Sequence, residues 1–141
     1  MTGNISLARQ FNGEVQRLIE YFIDKLGESK ERKTLLTKLR VATATKPFVV
    51  FDLWCENVIP YHNHILNKNE QAWTFPETLN NEMFQTLGLG THWDLLESED
   101  KSRVWEMLER VNKICIAVYK KRKQYGAMDA VSVVMENLIG N

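Results

Sequence analysis

Residues 11–26, FNGEVQRLIEYFIDKL, contain the pattern that decides the fold. Their apolar side chains recur at steps of three and four, which places them on one stripe of a helix with 3.6 residues per turn. The stripe consists of Phe11, Val15, Leu18, Ile19, Phe22, Ile23 and Leu26. Gly27 follows as the left-handed residue that commonly ends a helix. For the start, Asn4 and Asn12 are alternative caps.

The same spacing continues along the chain, so the fold class is predicted to be all-α. We expect a compact bundle of five to seven helices in a single domain over residues 1–141, because no repeat, low-complexity stretch or linker divides the sequence. The further predicted helices are Ser29 to about Ala44, Pro47 to Pro60, Thr74–Leu87, Ser98 to Gly126 and Met128–Ile139, with one helical turn at Trp93–Leu96.

Two places in this scheme leave alternatives open. Residues 48–51, FVVF, would also suit a strand, but helix is favoured because a lone strand leaves its backbone groups unpaired. After Pro60, residues 61–66 either continue the third helix beyond a kink or begin a new turn. Residues 67–74 are predicted to be a loop. Within Thr74–Leu87, the side chains expected to face inward are Leu79, Met83, Phe84 and Leu87.

The amino-acid composition limits the possible functions but does not identify one. Of 141 residues, 44% are hydrophobic, and 18 acidic residues balance 18 basic residues, so net charge favours no class of partner. The N-terminus lacks a signal-peptide pattern and no apolar run is long enough to span a membrane. We therefore expect an intracellular protein, in the cytosol or nucleus, without membrane attachment.

No familiar catalytic or cofactor motif is present. The tripeptide His62-Asn63-His64 has the letters of a nuclease motif but follows a proline, without the hairpin that holds the metal there. A zinc site could be imagined from Cys55, His62, His64 and Cys115, but Pro60 lies within the seven-residue step from Cys55 to His62, and such side chains on an apolar face are more often core residues than ligands. Cys55 and Cys115 are interpreted as small buried hydrophobes, with a disulfide between them as the alternative. The sequence thus predicts no enzyme, no metal and no cofactor.

Basic residues cluster in two stretches, and these are the candidate contacts to a partner or to nucleic acid. Residues 30–46 carry six basic side chains against one acid, and residues 110–123 carry six against none. A surface of this kind meets phosphates well, although lysines at a helix C-terminus also stabilise the helix itself. The candidate residues are Lys30, Arg32, Lys33, Lys38, Arg40, Lys120, Lys121, Arg122 and Lys123.

Two of the four tryptophans lie beside predicted loop and turn residues. Trp54 and Trp105 fall on helical stripes, whereas Trp73 and Trp93 do not. Each of the latter either packs over a helix end or is an exposed anchor for a partner, a role in which tryptophan is enriched.

The order of motifs over about residues 48–118 resembles that of small uncharacterised helical proteins encoded by nucleocytoplasmic large DNA viruses. The residues that carry this likeness are Phe51-Asp-Leu-Trp54, Ile59-Pro60-Tyr61, Ile65, Lys68-Asn-Glu70, Trp93-Asp-Leu-Leu96 and Lys101-Ser-Arg-Val-Trp105-Glu-Met-Leu108. Trp73 stands where an adjacent pair of phenylalanines is expected. The resemblance implies a viral accessory or structural protein and supplies no catalytic residues.

The leading functional prediction is a non-catalytic helical module that binds another protein or itself. The alternative is a nucleic-acid-associated protein using its basic helix faces, and a third is an enzyme whose residues are too scattered to recognise.

Overall fold

The computed structural model describes residues 2–90 and 92–123. In these residues the chain forms seven α-helices and no strand, which confirms the all-α class. The helices are α1 Thr2–Leu26, α2 Lys30–Thr45, α3 Val49–Asn57, α4 His62–Leu66, α5 Pro76–Leu79, α6 Glu82–Leu87 and α7 Ser98–Lys123. Three short 3-10 helices cover Ile59–Tyr61, Glu70–Thr74 and Trp93–Leu95. The predicted helix Met128–Ile139 and its preceding Gly126 lie outside the described residues.

The two long helices α1 and α7 pack against each other and form the centre of the bundle. They run antiparallel, since Tyr21 near the end of α1 donates a hydrogen bond to Asp100 at the start of α7 over 2.8 Å. The apolar stripe of α1 faces the core, where α1 packs against α7, α2 and α3; Phe11, Val15, Leu18, Ile19 and Phe22 are buried, and Ile23 and Leu26 are partly buried. Gly27 ends α1 with a φ of 92°.

The start of α1 differs from the prediction, which placed a capping asparagine at position 4 or 12. The helix begins at Thr2, so neither Asn4 nor Asn12 caps it. Asn12 is instead buried, and its Nδ2 donates to the carbonyl oxygen of Pro47 over 3.0 Å. This bond fixes the α2–α3 turn against α1. Pro47 therefore lies in that turn, two residues before α3, and not at the first helical position.

The structure of residues 48–66 decides between helix and strand at residues 48–51, and between a kinked and a new helix at residues 61–66. Val49–Asn57 is helical, so the strand interpretation of residues 48–51 is wrong. Pro60 lies inside the 3-10 helix Ile59–Tyr61, and α4 then begins as a separate helix at His62. Proline suits this position because the first residues of a helix need no N–H partner.

The predicted loop at residues 67–74 and the predicted helix Thr74–Leu87 are both partly wrong, because asparagine side chains begin new helices. Asn69 accepts a hydrogen bond from Gln71 N over 3.2 Å and starts the 3-10 helix Glu70–Thr74. Asn81 accepts from Phe84 N over 3.1 Å and starts α6 after a break from α5. Leu79, expected inside, is 47% exposed at the end of α5.

Candidate interaction surface

The basic residues of α2 do not form one continuous free face, because Arg32 is buried. It is 3% exposed, and its Nε donates to the carbonyl oxygen of Thr86 over 3.0 Å. Its Nη1 donates to Gly27 O over 3.0 Å, and its Nη2 lies 3.2 Å from His92 Nδ1. Arg32 thus joins the α1–α2 turn to the end of α6 and is not available to a partner, contrary to the prediction.

Glycine at position 88 allows this junction to close. Its φ is 92°, and a Cβ there would lie 2.7 Å from Leu26 Cδ1 and 3.0 Å from Arg32 Nη2. Any other residue would therefore strain the backbone and push these side chains apart.

The other basic residues of α2 lie at the surface, where two are paired and two are not. Lys33 Nζ lies 2.9 Å from Glu28, and Arg40 Nη2 lies 3.9 Å from Glu20. Lys30 and Lys38 are exposed and make no ion pair within the described part of the chain. Their charges remain directed to solvent, on the same helix and eight residues apart.

Between these lysines and the neighbouring helices lies a groove of about 540 Å³ bounded by α2, α3 and α6. We call it the α2–α3 groove. Its apolar side chains are Leu35, Leu53 and Met83, one from each helix. Leu53 is 40% exposed, although leucine on a helix of a bundle usually faces the core.

The apolar surface continues beyond the groove towards the α2–α3 turn. Val49 lies one helical turn before Leu53 and is 41% exposed, and Val41 lies three residues after Lys38 and is 59% exposed. Three of the large hydrophobic side chains that the described residues expose thus lie on α2 and α3. Val49 and Leu53 lie four residues apart on one face of α3, and contiguous exposed apolar surface commonly marks an interaction site.

The basic end of α7 is less available than its sequence indicates. Lys120 and Lys121 are exposed, but the Arg122 guanidinium packs 4.1 Å above the ring of Phe48. Arg122 Nη1 also lies 3.4 Å from Asp52 Oδ1, and only 16% of its side chain is exposed. Arg122 is therefore a structural contact between α7 and α3. The side chain of Lys123 lies outside the described residues.

The pKa of Asp52 reflects its position at this contact. Burial raises its pKa, and the nearby Arg122 charge opposes that effect.

Arg110 and Lys113 on α7 are also engaged. Arg110 Nε lies 3.3 Å from Glu14 on α1, and Lys113 Nζ lies 4.0 Å from Glu109. Because α1 packs against both α2 and α7, acids of α1 meet cations from each basic stretch.

Trp73 and Trp93 are buried, at 2% and 3% exposure, so neither is an exposed anchor. Trp73 stacks on Trp105 of α7 with ring centroids 5.3 Å apart, and Trp93 contacts both rings. Trp93 Nε1 donates to Glu70 over 2.7 Å. Of the two alternatives for these tryptophans, inward packing is therefore confirmed and an exposed anchor is wrong. The 3-10 helix Glu70–Thr74 turns Trp73 inward, so that its ring is buried against Trp105.

The thiols and imidazoles considered for zinc do not converge. The Sγ atoms of Cys55 and Cys115 lie 3.5 Å apart, and both thiols are free and fully buried. His62 Nδ1 contacts Asn112, and His64 Nδ1 contacts Asn69. Among residues 2–90 and 92–123, no three His, Cys, Asp or Glu side chains are grouped to hold a metal ion.

Burial also affects the Cys115 thiol, whose pKa is raised well above its usual range, and the Cys55 contact adds to this effect. Such a thiol is a poor nucleophile, because the thiolate is the reactive form.

No helix in the described part of the chain is both long and apolar enough to cross a membrane. In comparisons with known proteins, no family model, no curated protein and no solved structure matches this chain. The resemblance to viral helical proteins therefore stays a prediction.

Proposed function

We propose that this chain is an intracellular, non-catalytic protein-interaction module and that the α2–α3 groove is its contact surface. The observation that carries the proposal is a concave apolar surface, formed by Leu35, Leu53 and Met83, beside two lysines that have no ion-pair partner among the described residues. Protein interfaces combine an apolar centre with a polar rim, and this groove has both parts.

The lining of the groove favours a protein over a nucleic acid. Nucleic-acid affinity depends on contacts between cations and phosphates. Here the two lysines, Lys30 and Lys38, share the lining with two carboxylates, Glu31 and Glu82, which repel phosphates. Of the two arginines of α2, Arg32 is buried, and Arg40 lies outside the groove, where it faces Glu20.

A photo-crosslinking amino acid placed at Leu53, in the full chain expressed in its native cell, tests the proposal. Leu95 is the matched control position, because it is 71% exposed and does not line the groove. We expect a protein adduct from position 53 that is absent from position 95 and is lost when Met83→Asp is added. Equal adducts from both positions, or none from position 53, would contradict the proposal.

Self-association is distinguished in the same experiment. An adduct between two copies of the chain would identify a homodimer, which light scattering of the purified protein would then show as a mass of twice 16.5 kDa.

Nucleic-acid association is the second candidate function, and it is favoured by Lys120 and Lys121. Both are exposed near the end of α7 and make no ion pair within the described residues. A mobility-shift titration with duplex DNA and with RNA at two salt concentrations tests it. Binding that weakens with salt and with Lys120→Glu/Lys121→Glu would support this function, and no shift at low salt would exclude it.

A further inference from the structure

We infer that the partner of the α2–α3 groove is an amphipathic helix of another protein that carries acidic residues along one edge. This inference rests on the proposed function and adds the chemistry of the partner. It follows from the shape of the groove, from the placement of its unpaired charges and from the absence of a suitable helix elsewhere in the described residues.

The shape suits a helix of about three turns. The exposed face of α2 from Lys30 to Val41 covers eleven steps along the helix, or about 16 Å at 1.5 Å per residue. Leu35, Leu53 and Met83 lie within the groove, and Val49 and Val41 extend its apolar surface towards the α2–α3 turn. A helix lying along this surface presents apolar side chains at positions i, i+3, i+4 and i+7.

The charges place the acidic edge beside α2. Lys30 and Lys38 are eight residues apart, so their Cα atoms are separated by about 12 Å along the helix axis. Two acidic residues separated by two helical turns match this distance. The α2 side of the groove also carries Glu31, so it has two cations against one acid, whereas the α6 side carries Glu82 without a lining cation and would repel an acid. The partner helix is therefore acidic on the side that meets α2 and not on the side that meets α6.

The helices that the structure describes would be poor occupants if they came from a second copy of this chain. Within residues 2–90 and 92–123, the helices long enough to fill the groove are α1, α2 and α7. In their described residues, α1 and α7 expose no large hydrophobic side chain, and α2 exposes Val41 alone. The apolar stripes of α1 and α7 are already buried in the fold, so a helix of a different protein fits the groove better than any of these three.

Selection from a displayed library of random 16-residue peptides tests the inference directly. Peptides are selected on the full chain and counter-selected on the Leu53→Asp variant, whose unchanged fold is checked by circular dichroism and urea unfolding. Because Leu53 is already 40% exposed, this substitution changes the groove without removing core packing. The peptides lost on the variant are the groove ligands.

We expect the groove ligands to share an apolar helical stripe and two acids seven or eight residues apart. Their binding should weaken at least tenfold on Lys38→Glu and on Lys30→Glu, and should be regained when the facing acid of the peptide becomes lysine. Lys113→Glu is the control, because this exposed lysine lies on α7, away from the groove, and should leave binding unchanged.

Groove ligands without acids, or ligands indifferent to Lys30→Glu and Lys38→Glu, would overturn the inference and leave the proposed function standing. If the selection yields no groove ligands but position 53 gives an adduct to another protein, the inference is also overturned and the proposed function still stands. Absence of both would overturn the inference and the proposed function together. An adduct from position 53 to residues 124–141 of the same chain, or to a second copy, would replace the inferred partner by that occupant.

Discussion

The indole Nε1 of Trp54 donates a hydrogen bond to Asn112 Oδ1 over 2.7 Å, between two fully buried side chains. The Nδ2 of the same asparagine lies 3.0 Å from His62 Nδ1. One amide on α7 therefore satisfies an indole from α3 and an imidazole from α4. Buried polar groups are costly unless paired, so this network specifies how the three helices align.

Replacing Asn112 should strongly destabilise the fold. In Asn112→Leu the Trp54 N–H loses its acceptor while it stays buried, and an unpaired buried donor costs about 1–3 kcal/mol. We expect a loss of about 3 kcal/mol in the free energy of unfolding, measured by urea titration. The control is Lys113→Leu on the next residue, whose side chain is 71% exposed and which should change stability by less than about 0.5 kcal/mol. Equal midpoints for the two variants would contradict the role of the network.

Stability should also fall between neutral and mildly acidic pH because of His62. Burial lowers its pKa below the ordinary value of 6.5, and the Glu109 charge partly opposes this. The unfolded chain then binds a proton at a higher pH than the folded chain, so the contribution is complete above pH 6.5 and is lost as pH falls towards the folded pKa. One such proton gives a slope of at most about 1.4 kcal/mol per pH unit.

The measurement is urea unfolding from pH 7.5 to pH 5 for the native chain and for His62→Gln. Glutamine keeps a group that can bond Asn112 but does not titrate. The native chain should lose more stability than the variant over this range, and parallel curves would refute the assignment.

The tryptophan cluster offers a comparison of two identical substitutions. Trp73 Nε1 is buried without a hydrogen-bond partner in the described part of the chain, whereas Trp93 Nε1 bonds Glu70. Trp93→Phe therefore loses a bond to a carboxylate, and Trp73→Phe removes an unpaired donor. We expect Trp73→Phe to cost about 1–2 kcal/mol less than Trp93→Phe in urea unfolding. The reverse order would show that ring packing, and not pairing, decides the difference.

Arg32 should not tolerate lysine. A lysine keeps the charge but cannot supply the planar fork that reaches Thr86 O, Gly27 O and His92 Nδ1 together. We expect Arg32→Lys to lower the free energy of unfolding by about 2 kcal/mol, because buried carbonyl groups lose their donors. Arg40→Lys is the matched control, since that arginine is 59% exposed and its ion pair is long. A similar midpoint for both variants would count against a structural role for Arg32.

Periodicity predicted the parts of the fold that depend on local sequence. The stripe of α1, the start of α2 at Ser29, whose Oγ accepts from Arg32 N, and the left-handed stop at Gly27 are confirmed. Each of these depends on residues within a few positions of one another, so a single sequence contains the necessary information.

Apolar spacing alone did not predict the break between α5 and α6 or the turn that buries Trp73. Asn69 and Asn81 resemble ordinary polar residues until their side chains accept backbone N–H groups. Asparagine is a preferred N-cap residue, and that signal was present at both positions.

The candidate surface was predicted only in part, for a related reason. Counting charges along α2 identified Lys30 and Lys38 but could not separate them from Arg32, whose acceptors lie 54 residues away on α6 and five residues away before α2. The apolar part of the groove was missed because Leu35, Leu53 and Met83 come from three helices. Only the tertiary arrangement brings them together.

The Arg32 junction has a consequence for the kinetics of recognition. It fastens the start of α2 to the end of α6, and both helices line the groove. The conformational entropy of fixing α2 relative to α6 is therefore lost when the chain folds, and it is not lost again on association. A partner would meet a rigid template, so its association rate should be set by encounter and by its own ordering, with little rearrangement of this chain.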